Sequence, residues 1–269
     1  MESRRTDVSY FFSPPDLPLS HTAEALVTIG SGIAVVAAFA VAIRYWRTAG
    51  SAVPIFLLIG AGIATVNEPL VDLLGNCFHN GAAQWRLFEL FDRPIPIWGL
   101  FGYVIVYGVT AWFILSAMQR GASRLQFWLV LGAMMLIQVA MEMVILPTNL
   151  YYYYGYQPWS FFGMPMYWLA LNFAGTVLTA AVLSLTWHHL IGRRQAWVLL
   201  LPMATQIVGS YFIGLPVFAS LHSGGPAVVL WVGGAVTIAL AAVAVDFLAA
   251  FVRSRVPAPS LATTKVRAR

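Results

Sequence analysis

Seven apolar stretches, each long enough to cross a bilayer, decide most of what this chain can fold into. A transmembrane helix needs about 20 mostly apolar residues to span a hydrocarbon core of roughly 30 Å. Such stretches occupy roughly residues 24–46, 52–74, 96–118, 125–146, 166–190, 196–220 and 227–251. Polar or Pro/Gly-containing connections separate them and no internal repeat is visible. They read as one all-α, polytopic bundle of seven transmembrane helices. Composition agrees: 60% of the 269 residues are hydrophobic and 9% are charged, against about 25% charged in a soluble domain. A mean hydropathy of +0.78 leaves too little polar surface for a soluble enzyme, a disordered chain or a nucleic-acid-binding domain.

The expected organisation is an N-terminal extracytoplasmic segment (1–23), the seven-helix domain (24–252) and a basic cytoplasmic tail (253–269). Residues 1–23 contain Pro14, Pro15 and Pro18 and no apolar core of the kind a cleavable signal peptide needs. The net charge is +5, carried mainly by single or paired Arg between the spans, a loop pattern and not a nucleic-acid patch. With seven spans the termini lie on opposite sides. The N-terminal side would carry Arg4, Arg5, Arg86 and Arg93, and the other side the remaining 11 of the 15 Lys and Arg. Basic residues favour the cytoplasm, so the N-terminus is expected outside and the C-terminus inside, in a cell membrane. The single Cys77 excludes an internal disulfide and a multi-Cys metal site. It should sit just past the outer end of span 2, within reach of an external thiol probe.

Ionisable groups inside hydrocarbon cost several kcal/mol and are candidates for function. Span 2 holds Asn67, Glu68 and Asp72, with the two acids four apart on one helix face. Pro69 removes a backbone donor and frees a carbonyl near Thr65. Span 4 holds Gln138 and Glu142, again four apart, span 5 holds Asn172, and span 6 holds Gln206, Ser210 and Tyr211. At a rise of about 1.5 Å per residue, Glu68 lies roughly 9 Å and Glu142 roughly 6 Å from the outer ends of their spans. The group therefore converges in the outer half of the bundle. A plain interhelical hydrogen-bond network would account for the amides; acids fit it less well, because amides would serve at lower desolvation cost. Glu24 and Asp246 lie near span ends, where they can reach water.

The outer connections have their own character. Residues 151–168, YYYYGYQPWSFFGMPMYW, read either as an interfacial aromatic belt or as a lid of rings over a pocket, able to stabilise a cation. Residues 85–93 alternate apolar and charged side chains, the pattern of a short amphipathic interfacial helix. His79 and His222 fall in outer loops, where a lone His is usually solvated, although His79 follows span 2 closely enough to accept a proton. If spans 2, 4, 5 and 6 enclose one pocket, Glu68, Asp72, Glu142, Asn172 and Gln206 should face inward at a common depth. Tyr167, Trp168 and Tyr211 would wall it, with Trp98 near its mouth.

Several chemistries leave no mark here. The only lysine is Lys265, so no span carries a retinal-type Schiff base. A zinc-protease HExxH, a P-loop, paired haem or di-iron histidines and a DDxxD-type diphosphate motif are all missing. The NEPLVDLLGNC run at 67–77, RPIPIW at 93–98 and the aromatic loop after span 4 resemble membrane proteins grouped with the avermectin-type (AveC-like) spirocyclases. That resemblance implies cofactor-free dehydrative cyclisation of a dihydroxy-ketone on a polyketide-like substrate. It supplies no catalytic set, and family alone does not fix chemistry.

The residues themselves suggest an intramembrane cyclase or isomerase of an apolar, polyketide- or terpenoid-like molecule, without cofactor or metal. Its partners are the bilayer and that molecule, and no nucleic acid. Glu68 would be a protonated general acid, with Glu142 or Asp72 taking the proton or stabilising a cation. Asn67, Gln138, Asn172, Gln206, Tyr211, Tyr167, Trp168 and Trp98 would line the binding site. Alternatives are a proton-coupled transporter or lipid carrier, using the acids as a relay, and a non-catalytic accessory subunit.

Overall fold

A computed structural model describes Pro14 and residues 17–255. Most of the expected N-terminal segment and the tail beyond Arg255, with Arg4, Arg5, Lys265, Arg267 and Arg269, therefore lie outside the described residues. Among those described, seven helices are long and apolar enough to cross a membrane. They are α1 (His21–Ala49), α2 (Val53–Gly75), α3 (Ile97–Gln119), α4 (Arg124–Thr148), α5 (Met166–His189), α6 (Gly192–Leu221) and α7 (Ala227–Arg255). Local chemistry sets several ends. Ser20 accepts from the Ala23 N–H at the start of α1, and Gly50, in the left-handed conformation, returns its N–H to Trp46. A reciprocal capping box of Ser123 and Gln126 opens α4.

The most apolar window of α5 is 67% buried, against 17% for α1 and 11% for α4, so α5 is the centre and α1 and α4 face lipid. Small residues bring α6 onto α5, since a Cβ added at Gly209 would run into the Gly175 backbone. The half of the bundle toward Ala49, Gln119 and His189 is filled by an apolar core that includes Leu57, Ile114, Leu115, Leu183 and Val198. Near that end Arg124 grips Asp246 through two bonds of 2.8 and 3.1 Å.

Three helices are irregular toward the other end. In α2 a 3-10 turn, Ala64–Asn67, precedes Glu68–Gly75, with Pro69 in its first turn. Val104–Val109 of α3 and Val208–Phe212 of α6 are π-helical. Non-standard backbone is tolerated at membrane depth where protein buries it or where it lines a cavity.

A small β cap covers this end. Strand β1 (Cys77–His79) pairs antiparallel with β4 (Tyr151–Tyr153), Phe78 opposite Tyr152; β2 (Arg86–Leu90) pairs with β3 (Arg93–Pro96), and β5 (Ser160–Phe161) with β6 (Met164–Pro165). The expected interfacial helix over 85–93 is thus a hairpin. Phe91 and Asp92 both have positive φ, 54° and 53°, the two-residue turn that reverses a twisted strand pair.

Burial corrects three further expectations. Glu24 does not reach for water: it is 2% exposed and accepts from the Gln84 and Trp85 N–H groups at 3.2 and 2.9 Å, tying α1 to the cap. Arg93, counted above among loop charges, is fully buried. Its guanidinium donates to the Tyr154 hydroxyl at 2.8 Å and lies over the Phe78 ring. Cys77 is buried under β4, so an external thiol probe would not reach it in the folded protein.

Candidate functional site

Beneath the cap lies a cavity of about 140 Å³. Its acidic wall is Glu68 and Asp72 of α2 with His79 of β1, and Gln138 and Glu142 of α4 stand among its other lining residues. Trp98, Tyr103 and Tyr107 of α3, Tyr151 and Tyr153 of β4, and Trp168 of α5 supply aromatic surface, while Val27 and Ser31 bring in α1. No Lys or Arg lines it.

The acids are held by two separate devices. Tyr103 donates its hydroxyl to Glu68 and receives a hydrogen bond from the Gln206 amide. Gln206 in turn accepts from Asn67 at 2.7 Å, and the same Asn67 nitrogen reaches the Met203 carbonyl at 3.0 Å. A chain of side chains from α2, α3 and α6 thereby fixes Glu68 from behind. Asp72 instead accepts from Nδ1 of His79 at 2.9 Å, and the imidazole is flanked by the Trp98 and Tyr151 rings. Burial disfavours the charged ring of His79, but the Asp72 carboxylate outweighs that effect, so His79 titrates above its usual 6.5. Burial likewise holds the Cys77 thiol well above its ordinary value, which makes it an inert wall group.

Several lining atoms have no partner: Oε1 of Gln138, Oε2 of Glu142 and the indole nitrogens of Trp98 and Trp168. Buried polar groups are nearly always bonded, and orphans concentrated in one cavity are the groups a ligand or ordered water would satisfy. One ligand atom each from Glu68, Asp72 and His79 lies within 4.8 Å of the others, so these three residues could also hold a metal ion.

Of the residues nominated from sequence, Glu68, Asp72, Gln138, Glu142, Trp98, Trp168 and Asn172 line this one cavity. Asn172 accepts from the Tyr107 hydroxyl at 2.6 Å. Asn67 and Gln206 stand behind it as the support for Glu68 and Tyr103. Tyr211 also falls outside the lining, donating to the Asn67 carbonyl at 3.3 Å. Tyr167 is fully buried and bonded to Gln157 and the Gly75 carbonyl. The expected enclosure by spans 2, 4, 5 and 6 is therefore corrected: α3 and α1 complete the wall, and Tyr103 stands between α6 and the cavity. Tyr103 and Tyr107 are missed, although two tyrosines four apart inside an apolar span mark one polar face; His79, read as a loop histidine able to accept a proton, is buried on Asp72 and not solvated.

No family model matches the chain, and no curated protein or solved structure is significantly similar to it.

Proposed function

We propose that the protein is an intramembrane acid–base enzyme, a cyclase or isomerase acting on an apolar polyketide- or terpenoid-like small molecule drawn from lipid. The observation that carries this reading is the pairing of Glu142, whose Oε2 lacks a partner, with the Glu68–Asp72–His79 wall of the same aromatic cavity. A volume of about 140 Å³ suits a ring-sized fragment, since a cavity of about 150 Å³ takes up benzene. The reacting part of a longer molecule would sit inside, with the rest lying between α1 and α4, which pack on other helices more than on each other. All three segments that resemble the spirocyclases border this space: 67–77 contributes Glu68, Asp72 and Cys77, 93–98 contributes Trp98, and the aromatic loop contributes Tyr151 and Tyr153.

In this mechanism Glu142 gives its proton to a carbonyl or alkene of the substrate, or to a hydroxyl that then leaves as water. An internal hydroxyl or alkene closes on the electron-poor carbon, and the proton released on closure passes to the Asp72–His79 pair. Tyr103 holds Glu68 as a fixed negative pole, and the faces of Trp98, Tyr151, Tyr153 and Trp168 stabilise positive charge and exclude water. Sequence expectation made Glu68 the general acid. Its hydrogen bond from Tyr103 favours the acceptor role and leaves the donor role to Glu142. A through-path for transport is disfavoured by the apolar core that fills the opposite half of the bundle. The excess of Lys and Arg on the C-terminal side supports a cap facing outward and a cytoplasmic C-terminus, in a cell membrane. Incubating the detergent-purified protein with a lipid extract tests the reading by mass spectrometry. Removing a general acid costs about 10²- to 10⁴-fold, so Glu142→Gln should abolish product while the fold persists; unchanged conversion by both Glu142→Gln and Glu68→Gln would refute it.

A further inference from the structure

We propose that Glu68, Asp72 and His79 bind a divalent first-row transition-metal cation, of the zinc or manganese kind, on the wall of the cavity. Sequence spacing conceals this site, because its ligands come from one helix face and from the strand that folds back after it. Glu68 and Asp72 lie one turn apart, and β1 is brought over them by pairing with β4. The three candidate ligand atoms fall within 4.8 Å of one another. Ligands at about 2.1 Å from a tetrahedral ion stand roughly 3.4 Å apart, so side-chain adjustments of up to about 1.4 Å complete the set.

Charge points the same way. Three carboxyl groups, of Glu68, Asp72 and Glu142, border the cavity, and His79 is the only basic side chain among its lining residues. Carboxylates in a low-dielectric interior must be paired, protonated or bound to a cation. An independent sign comes from α4. Gln138 is 6% exposed, lines the cavity and has no donor for its Oε1, and Oε2 of Glu142 is in the same condition. The Gln138 amide oxygen can only accept, and a water molecule on a cation held opposite it would be a donor of the right kind, as second-layer partners commonly are. The imidazole favours a transition metal over magnesium or calcium, and calcium would need about six to eight oxygen ligands.

With such an ion bound, Asp72 and His79 would be ligands and not proton acceptors, and the ion would supply Lewis-acid assistance to a substrate oxygen opposite Glu142. Metal binding does not depend on the proposed reaction and is measured without substrate. Full-length protein in detergent, stripped with a chelator, is titrated with Zn²⁺, and bound metal is counted by elemental analysis; Co²⁺ supplies a visible spectrum of the ligand field. One Zn²⁺ per chain is expected in the wild type and in a His188→Gln/His189→Gln variant, which removes the adjacent surface histidines. Asp72→Asn and Glu68→Gln, close to isosteric, should each weaken binding by more than about 100-fold, because even second-layer losses cost roughly 10- to 100-fold. His79→Gln should also alter the Co²⁺ spectrum. Absence of stoichiometric metal from folded wild type overturns the proposal, as does binding lost with His188 and His189 but kept by Asp72→Asn. Normal Zn²⁺ binding without any lipid conversion would count against the reaction and leave the metal site standing.

Discussion

Tyr103 joins three helices with one oxygen: it donates to Glu68 of α2 and accepts from Gln206 of α6. Tyr103→Phe therefore strips a donor from the acid and leaves a fully buried amide N–H unpaired, at a cost of about 1–3 kcal/mol. A lower melting temperature in detergent would register it, and an unchanged one would show that the chain of bonds carries no stability. A second contrast tests packing beside the cavity. A Cβ added at Gly75 would overlap the Trp168 ring, whereas one added at Gly102 meets nothing within 4 Å. Gly75→Ala should destabilise by about 1–3 kcal/mol, and Gly102→Ala should be tolerated. At this scale the acids were legible, because Glu68, Asp72 and Glu142 interrupt apolar runs. For His79 only a proton-accepting position after span 2 was legible; its burial depends on a strand pair between residues more than sixty positions apart. Tyr103 and Tyr107 were lost among aromatic residues that usually mark an interface.

At the scale of elements, the seven spans followed from length and hydropathy, since every backbone group in lipid must be bonded within its own helix. Their interruptions did not. Pro69 announced the break in α2, but nothing comparable announces the π segments of α3 and α6, which arise where Tyr107 and Ser210 are packed into the interior. The cap was misread for a different reason. Apolar residues at 85, 87, 88, 90 and 91 fit a helical stripe nearly as well as a strand, and only the turn at Phe91–Asp92 decides between them. Arg93 then secures the hairpin to the rest of the cap through Tyr154. Tyr154→Phe removes a hydrogen bond from a charged group, worth about 1.5–3 kcal/mol. Faster hydrogen exchange across 81–96, with the spans unaffected, is the expected outcome; equal protection would mean that the hairpin is held some other way.

For the molecule as a whole, the architecture separates a closed apolar half from a capped half that holds a cavity. Orientation can be read with a Ser223→Cys thiol between α6 and α7, which should label from outside, and with a C-terminal reporter, which should stay cytoplasmic; the reverse pattern would invert the map. The central claim is that the cavity holds an apolar small molecule on which the acids act. Gly102 lies on its wall with open space beside it, so Gly102→Leu fills the cavity while sparing the fold. Mass spectrometry of the lipid that co-purifies with each form tests the claim most directly. The account predicts one enriched apolar molecule bearing a carbonyl, hydroxyl or alkene in the wild type and its loss from Gly102→Leu. The same bulk phospholipid, in equal amount, from both proteins would contradict it.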